Sequence, residues 1–183
     1  MSIYFVTGNK NKFKEAKRII SNLKQVDIDL PEIQEIDARE VVKFKLLEAL
    51  KYQKSEFVVE DTSLHLDCLG GLPGPLIKWF LSSIGGRGVY ELTKKMGNNR
   101  AEARTIVGYA KSLKDIYYFS GSIKGEIVFP RTKSSFGWDP IFKPDGFSKS
   151  FAAMSLEEKN DISMRKIAFS KLKDFLNKES SAN

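Results

Sequence analysis

The chain has 183 residues, 42% hydrophobic and 29% charged, with a formal net charge of +7. That length supports one domain with a sizeable core and room for two lobes, and the charge balance suggests an anionic partner, nucleotide or nucleic acid, or only a solvated surface. A single cysteine, Cys68, and a single histidine, His65, exclude a disulfide framework, a cysteine-based zinc cluster and any multi-histidine metal site, so carboxylates and a metal ion become the expected chemistry.

No apolar run approaches the roughly 20 residues of a membrane span, and the N-terminus enters a strand pattern at once in place of a signal-peptide core, so a soluble cytoplasmic protein is expected. Ile3-Tyr4-Phe5-Val6 reads as a buried strand. Thr7-Gly8-Asn9-Lys10-Asn11-Lys12 follows, with glycine for close backbone approach, two short polar side chains, two lysines and a helix N-terminus. These are the parts of an anion cradle, and equally of an ordinary strand-to-helix turn. From Lys12 the positions Phe13, Ala16, Ile19, Ile20 and Leu23 share a helical face. Val26, Ile28 and Leu30 alternate as a second strand ended by Pro31, and a helix is expected over about 38–54. Phe57-Val58-Val59 is the third strand, so the order is βαβαβ and the sheet partly parallel. Glu60-Asp61-Thr62-Ser63 stands at its carboxyl end, where open α/β sheets place ligands. Asp61 could also simply cap a turn.

Gly70-Gly71-Leu72-Pro73-Gly74-Pro75 leads into a short helix over 76–84 carrying Lys78 and Trp79. Gly85-Gly86-Arg87-Gly88 breaks it before a second helix over 89–96. Strands are expected over 105–109, 117–120 and 125–129, the first two joined antiparallel through a hairpin loop at 112–115. Phe136-Gly137-Trp138-Asp139-Pro140 sets aromatic rings beside a carboxylate, which suits a slot for a nucleobase and also suits a turn with core aromatics. Ser155 and Glu158 form a capping box, and a last helix from near Asp161 buries Met164, Ile167, Ala168, Leu172, Phe175 and Leu176. Lys159, Ser163 and Arg165 cluster at that junction, and residues 179–183 read as a frayed tail. His65 reads as a structural or surface histidine and Cys68 as a small buried hydrophobe.

Taken together, Thr7-Gly8-Asn9, Leu30-Pro31-Glu32, Glu60-Asp61-Thr62, Gly70 to Pro75, Phe136 to Pro140 and Glu158-Lys159-Asn160 resemble the inosine triphosphate pyrophosphatase family, the HAM1-like enzymes, across almost the whole chain. The resemblance implies a single domain over residues 1–183, with an elongated mixed α/β sheet, flanking helices and two lobes around a central nucleotide-binding cleft. It implies a homodimer and hydrolysis of non-standard purine nucleoside triphosphates (ITP, dITP, XTP) to the monophosphate and pyrophosphate, with Mg2+ or Mn2+ as cofactor. By motif, Glu32 and Asp61 would be the metal-binding and catalytic acids, with Asp61 the general base. Thr7, Gly8, Asn9, Lys12, Lys45, Thr62 and Lys78 would hold the triphosphate side of the substrate. Phe136, Gly137, Trp138, Asp139, Lys159, Ser163 and Arg165 would form the base pocket, with Arg165 donating to a 6-keto oxygen.

Elementary chemistry agrees with that division. Attack on an α-phosphorus brings a hydroxide equivalent against a highly charged anion, and a lysine about 4 Å from a phosphate oxygen offsets roughly 4 kcal/mol of Coulomb energy at an effective dielectric near 20. Two departures from the family pattern stand out: Met164 where the family has histidine between Ser163 and Arg165, and Ala153 where it commonly has glutamate. They leave a related pyrophosphatase with another base preference as an alternative. A nucleic-acid-binding module is the rival from another class, but it has no use for Glu32 and Asp61 beside a phosphate cleft, so neither nucleic acid nor membrane is expected as a partner.

Overall fold

A computed structural model of the protein describes residues 2–131 and 137–181; Phe136 lies outside the described residues. Strand β1 (Ile3–Val6) is apolar and largely buried, as a strand covered on both faces must be. Helix α1 (Lys10–Ile19) begins where Asn9 caps it, its side chain accepting from the Asn11 and Lys12 N–H groups. Strand β2 (Leu23–Val26) runs parallel to β1 with Val6 opposite Val26. It stops before Ile28 and Leu30, contrary to the sequence expectation, because β1 has no further residues to pair with. Ile28 and Leu30 instead pack as loop residues against an apolar cluster. Helix α2 (Ala38–Tyr52) is capped by Asp37.

Strand β3 (Glu56–Leu66) is far longer than the three residues its apolar run suggested. The reason is its neighbour: β5 (Arg100–Ala110) pairs antiparallel with it from Phe57 to Leu66, so the ladder carries polar residues that propensity would not place in a strand. Two-residue β4 (Pro73–Gly74) pairs with its far end. Helix α3 (Ile77–Lys95) contains the expected glycine break as a kink at Gly85 (φ 66°, ψ 174°). The hairpin at 112–115 joins β5 to β6 (Ile116–Ile127), which is one strand and not two. Gly121 and Gly125 are close-approach positions, since a Cβ would meet the Met164 and Lys143 carbonyls. Strand β7 (Phe142–Pro144), helix α4 (Leu156–Ile162) with its expected capping box, and helix α5 (Met164–Ser181) complete the chain. Helix α5 thus continues through the first residues of the segment read as a tail.

Among the described residues seven strands form one mixed sheet, ordered β2-β1-β3-β5-β6-β7 with β4 beside β3. Two apolar clusters, one centred on Phe5, Leu23, Tyr109 and Phe169 and the other on Val42, Leu46 and Phe57, fill the end that carries β1 and β2. A third, with Leu64, Trp138, Phe142, Phe151 and Met164, fills the other end. No helix among the described residues is long and apolar enough to cross a membrane.

Candidate active site

Between those two ends β3 has an open edge. It pairs with β1 only as far as Val58 and with β4 only from Leu64, so residues 59–63 are paired on the β5 side alone. The loops after β1 and β2 face this gap, which is why the carboxyl-end rule still finds the site although β3 runs straight through it. The resulting cleft has a volume of about 970 Å³ and is lined by Thr7, Gly8, Asn9, Lys12, Glu32, Lys45, Glu60 and Lys78, with Asp27 and Asp29 on its wall. A slot of about 390 Å³ shares Asn9, Lys12 and Lys78 with it and adds Thr62, Ile77, Leu81, Gly137, Trp138 and Arg165.

The loop of residues 7–12 is built mostly by its own polar groups. The Asn9 N–H donates to Thr7 Oγ1 at 3.1 Å, and Asn9 Oδ1 takes the Asn11 and Lys12 N–H groups at 3.0 and 3.2 Å. Three donors that a bare helix terminus would offer an anion are therefore already used, and the positive charge of the wall comes chiefly from lysine side chains. Gly8 lies close to Asp27: a Cβ there would sit 2.9 Å from a carboxylate oxygen of that exposed side chain, which would have to swing aside.

Successive residues of β3 point to opposite faces. On the α2 face, Lys45 Nζ sits 3.0 Å from Glu32 and 3.5 Å from Asp61, with Lys78 Nζ 3.9 Å from Glu32. Burial pushes Glu32 up, but its bond to Lys45 and the charges of Lys45, Lys78 and Lys12 hold it below the usual carboxylate value. Asp61 is driven the other way: burial raises it, Lys45 and Lys12 only partly oppose, and Glu60 and Glu32 add to the rise. Asp61 Oδ2 is buried without a hydrogen-bond partner among the described residues. An orphaned carboxylate oxygen beside a second carboxylate fits a hard divalent ion such as Mg2+ or Mn2+. Because no group of three or more histidine, cysteine, aspartate or glutamate side chains converges among the described residues, that ion would also need water and phosphate oxygens, as Mg2+ usually does.

On the opposite face Glu60 is tied to Lys12 at 2.9 Å and to Arg165 through Nε at 2.8 Å and Nη2 at 3.0 Å. Arg165 is fully buried and also donates from Nη1 to Glu15 at 2.6 Å. Thr62 belongs to the same network, 3.4 Å from Arg165 Nη2 and 3.1 Å from the Thr105 hydroxyl. Burial pushes Glu60 up and the two cations outweigh it, holding its carboxyl at about 2.

The structure therefore brings together Thr7, Gly8, Asn9, Lys12, Glu32, Lys45, Thr62, Lys78, Gly137, Trp138 and Arg165, with Asp61 lining a small hollow beside Glu32, Lys45 and Lys78. It does not bring Asp139, Lys159 or Ser163 into the slot as its described residues line it. Asp139 and Lys159 form a buried ion pair with each other, in which burial still raises the Asp139 carboxyl. The Ser163 hydroxyl accepts from the Lys166 N–H at 3.1 Å as a start signal for α5. Met164 is buried in the apolar cluster with Trp138, Phe142 and Phe151, so its side chain belongs to the core and not to the slot. His65 lies outside the cleft and the slot, bonded to Ser63 Oγ at 2.9 Å, while Cys68, expected to be buried, is only half-buried. Sequence reasoning missed Glu60 and Glu15. Their signal was local, since Glu60 adjoins Asp61 and Glu15 lies one helical step from Lys12, but nothing in the sequence shows that both meet Arg165.

The fold and the cleft define an α/β protein whose lysines and carboxylates face one another across the open edge of a mixed sheet. The Ham1 family model matches residues 3–175. The chain is 42% identical over 182 residues to the inosine triphosphate pyrophosphatase of Schizosaccharomyces pombe (strain 972 / ATCC 24843), covering 97% of this chain and 96% of the relative. It is 40% identical over 176 residues to inosine triphosphate pyrophosphatase 1 of Trypanosoma cruzi (strain CL Brener), covering 93% and 90%. Among solved structures, the Ham1 proteins of Staphylococcus aureus (TM-score 0.82, 24% identity, 98% and 100% covered) and Coxiella burnetii (TM-score 0.85, 22% identity, 97% and 99% covered) share the fold. The chain belongs to the Ham1 family.

Proposed function

We propose that this chain is a nucleoside triphosphate pyrophosphatase that hydrolyses ITP, dITP and XTP to the monophosphate and pyrophosphate. The names of the two relatives at 42% and 40% identity support the reaction. The observation that carries the site is Asp61: a raised carboxylate with one oxygen that has no partner among the described residues, set beside Glu32 and a bridging lysine at the mouth of a cationic cleft. A bound Mg2+ or Mn2+, held by Glu32 and Asp61, would neutralise phosphate charge. Asp61 accepts the proton of the attacking water at its carboxylate, and its raised pKa brings it closer to the working pH than an ordinary aspartate. Lys12, Lys45 and Lys78 stand where the triphosphate anion enters, and Thr7 and Asn9 shape the wall they project from. Gly137 and Trp138 cover the base in the slot, with Phe136 beside them in sequence and Arg165 as its floor. Asp139, Lys159 and Ser163 act behind that floor. We further assign the enzyme to the cytoplasm, as a homodimer.

A turnover assay tests this reading. Pyrophosphate release from ITP, XTP, dUTP, ATP and GTP is measured with and without Mg2+; ITP and XTP are expected to lead and the metal to be required. Equal rates on ATP and ITP would refute the 6-keto preference.

A further inference from the structure

We infer that Glu60 is a positioning residue that couples the phosphate wall to the base slot, because one carboxylate is the shared counterion of Lys12 in the first and Arg165 beneath the second. Its Oε1 takes Lys12 Nζ at 2.9 Å, Arg165 Nη2 at 3.0 Å and the Thr62 hydroxyl at 3.4 Å, while Oε2 takes Arg165 Nε at 2.8 Å. Glu15 continues the series on Arg165 Nη1 at 2.6 Å. Lys12, Glu60, Arg165 and Glu15 thus alternate in charge, and three of the four are buried, where such interactions are little screened.

The alternation has a direction. Lys12 is the link that meets the cleft, its side chain 25% exposed against 2% for Glu60. A phosphate that draws Lys12 away leaves Glu60 Oε1 with fewer competing donors, so its hold on Nη2 tightens and the guanidinium is fixed more firmly under the slot. By thermodynamic reciprocity, a base that fits the slot over that fixed guanidinium strengthens phosphate binding in return. Glu60 would thereby make the grip on the phosphates depend on the base above Arg165, acting through Lys12 on one side and Arg165 on the other.

The inference rests on the nucleotide reading, and its test is a binding measurement that needs no turnover. Inosine affinity is measured without added metal, in the absence and presence of saturating inorganic tripolyphosphate. In the unmodified chain tripolyphosphate is expected to tighten inosine binding about fivefold or more, a typical coupling between sites. In Glu60→Gln that ratio is expected to fall to one, while tripolyphosphate alone binds at least as tightly as before, because a negative charge beside Lys12 has been removed. A merely structural role would weaken both ligands and leave the ratio unchanged. An unchanged ratio in Glu60→Gln, or no coupling in the unmodified chain, overturns the proposal. If Glu60→Gln fails to fold, Glu60→Asp decides: the shorter carboxylate keeps the charge but cannot reach both cations, so a full ratio there also overturns it. A chain that binds both ligands but releases no pyrophosphate from ITP refutes the reaction and not the coupling.

Discussion

Glu60 and Asp61 are neighbours in the chain, yet the pleat of β3 sends them to opposite faces and their protons respond in opposite directions. Glu60 is enclosed by two cations that offset its burial, and it stays ionised down to about pH 2. Asp61 is less enclosed, but among the described residues the lysine that pairs with it is shared with Glu32 and one of its oxygens has no partner, so burial wins and its pKa rises. The comparison separates two uses of a buried carboxylate. A fully satisfied one organises its surroundings; an under-satisfied one is held at a cost to stability and is ready to take a proton or a metal ion.

The largest expected effect comes from removing the under-satisfied member. Asp61→Asn should lower pyrophosphate release from ITP by about 10³-fold, within the usual range for a general base. It should also raise the melting temperature at neutral pH, because the ionised carboxylate it replaces is disfavoured by the fold; calorimetry that shows a fall would mean Asp61 is better satisfied than its environment indicates. Lys45→Met comes next, with kcat/KM lowered by about 10²-fold, the scale of one lost charge-stabilising group. Since Lys45 is the main influence opposing the rise of Asp61, the acid limb of the pH–rate profile should move to higher pH in that variant. A limb that stays in place would detach it from Asp61.

The satisfied member is read through stability. A depressed carboxylate contributes its stabilisation above its unfolded value and loses it on acidification. The Glu60 contribution, on the order of 3 kcal/mol for a shift of this size, should therefore be present above about pH 4.5 and vanish towards pH 2. Acid titration of melting temperature should be shallower over that window in Glu60→Gln than in the unmodified chain. Parallel curves would show that Arg165 and Lys12 do not hold Glu60 as the geometry indicates.

How much of this could be read beforehand depended on the range of each interaction. The capping box of Ser155 and Glu158, the start of α2 near Ala38 and the glycine break in α3 are set by residues within a few positions of one another, and sequence reasoning found them. The misreadings share a cause. Val26, Ile28 and Leu30 alternate like a strand but lack a partner beyond Val26; residues 60–66 look like a loop but are paired throughout with β5; the stretch around Gly121 looks like a turn between two strands but is the middle of β6, where the missing side chain admits α5. In each case the deciding neighbour is distant in sequence.

The site divides in the same way. Sequence reasoning singled out Asp61, Glu32, Lys12, Lys45 and Lys78 from motif and chemistry, and the structure brings them to one cleft and its adjoining hollow from α1, α2, β3, α3 and the loop that holds Glu32. Asp139, Lys159 and Ser163 were singled out as well, but the spacing along the chain did not show that Asp139 and Lys159 pair with each other or that Ser163 takes the Lys166 N–H, outside the slot as its described residues line it. By itself the sequence determined the βαβαβ order, the capping box of Ser155 and Glu158, the family and the inventory of charges. Only the tertiary structure decided which charges meet. Burial sets the cost of an ionised group and contact sets its compensation, and neither can be read from spacing along the chain, so Glu60 and Asp61 became opposites only once the sheet had placed Arg165 behind one and Lys45 before the other.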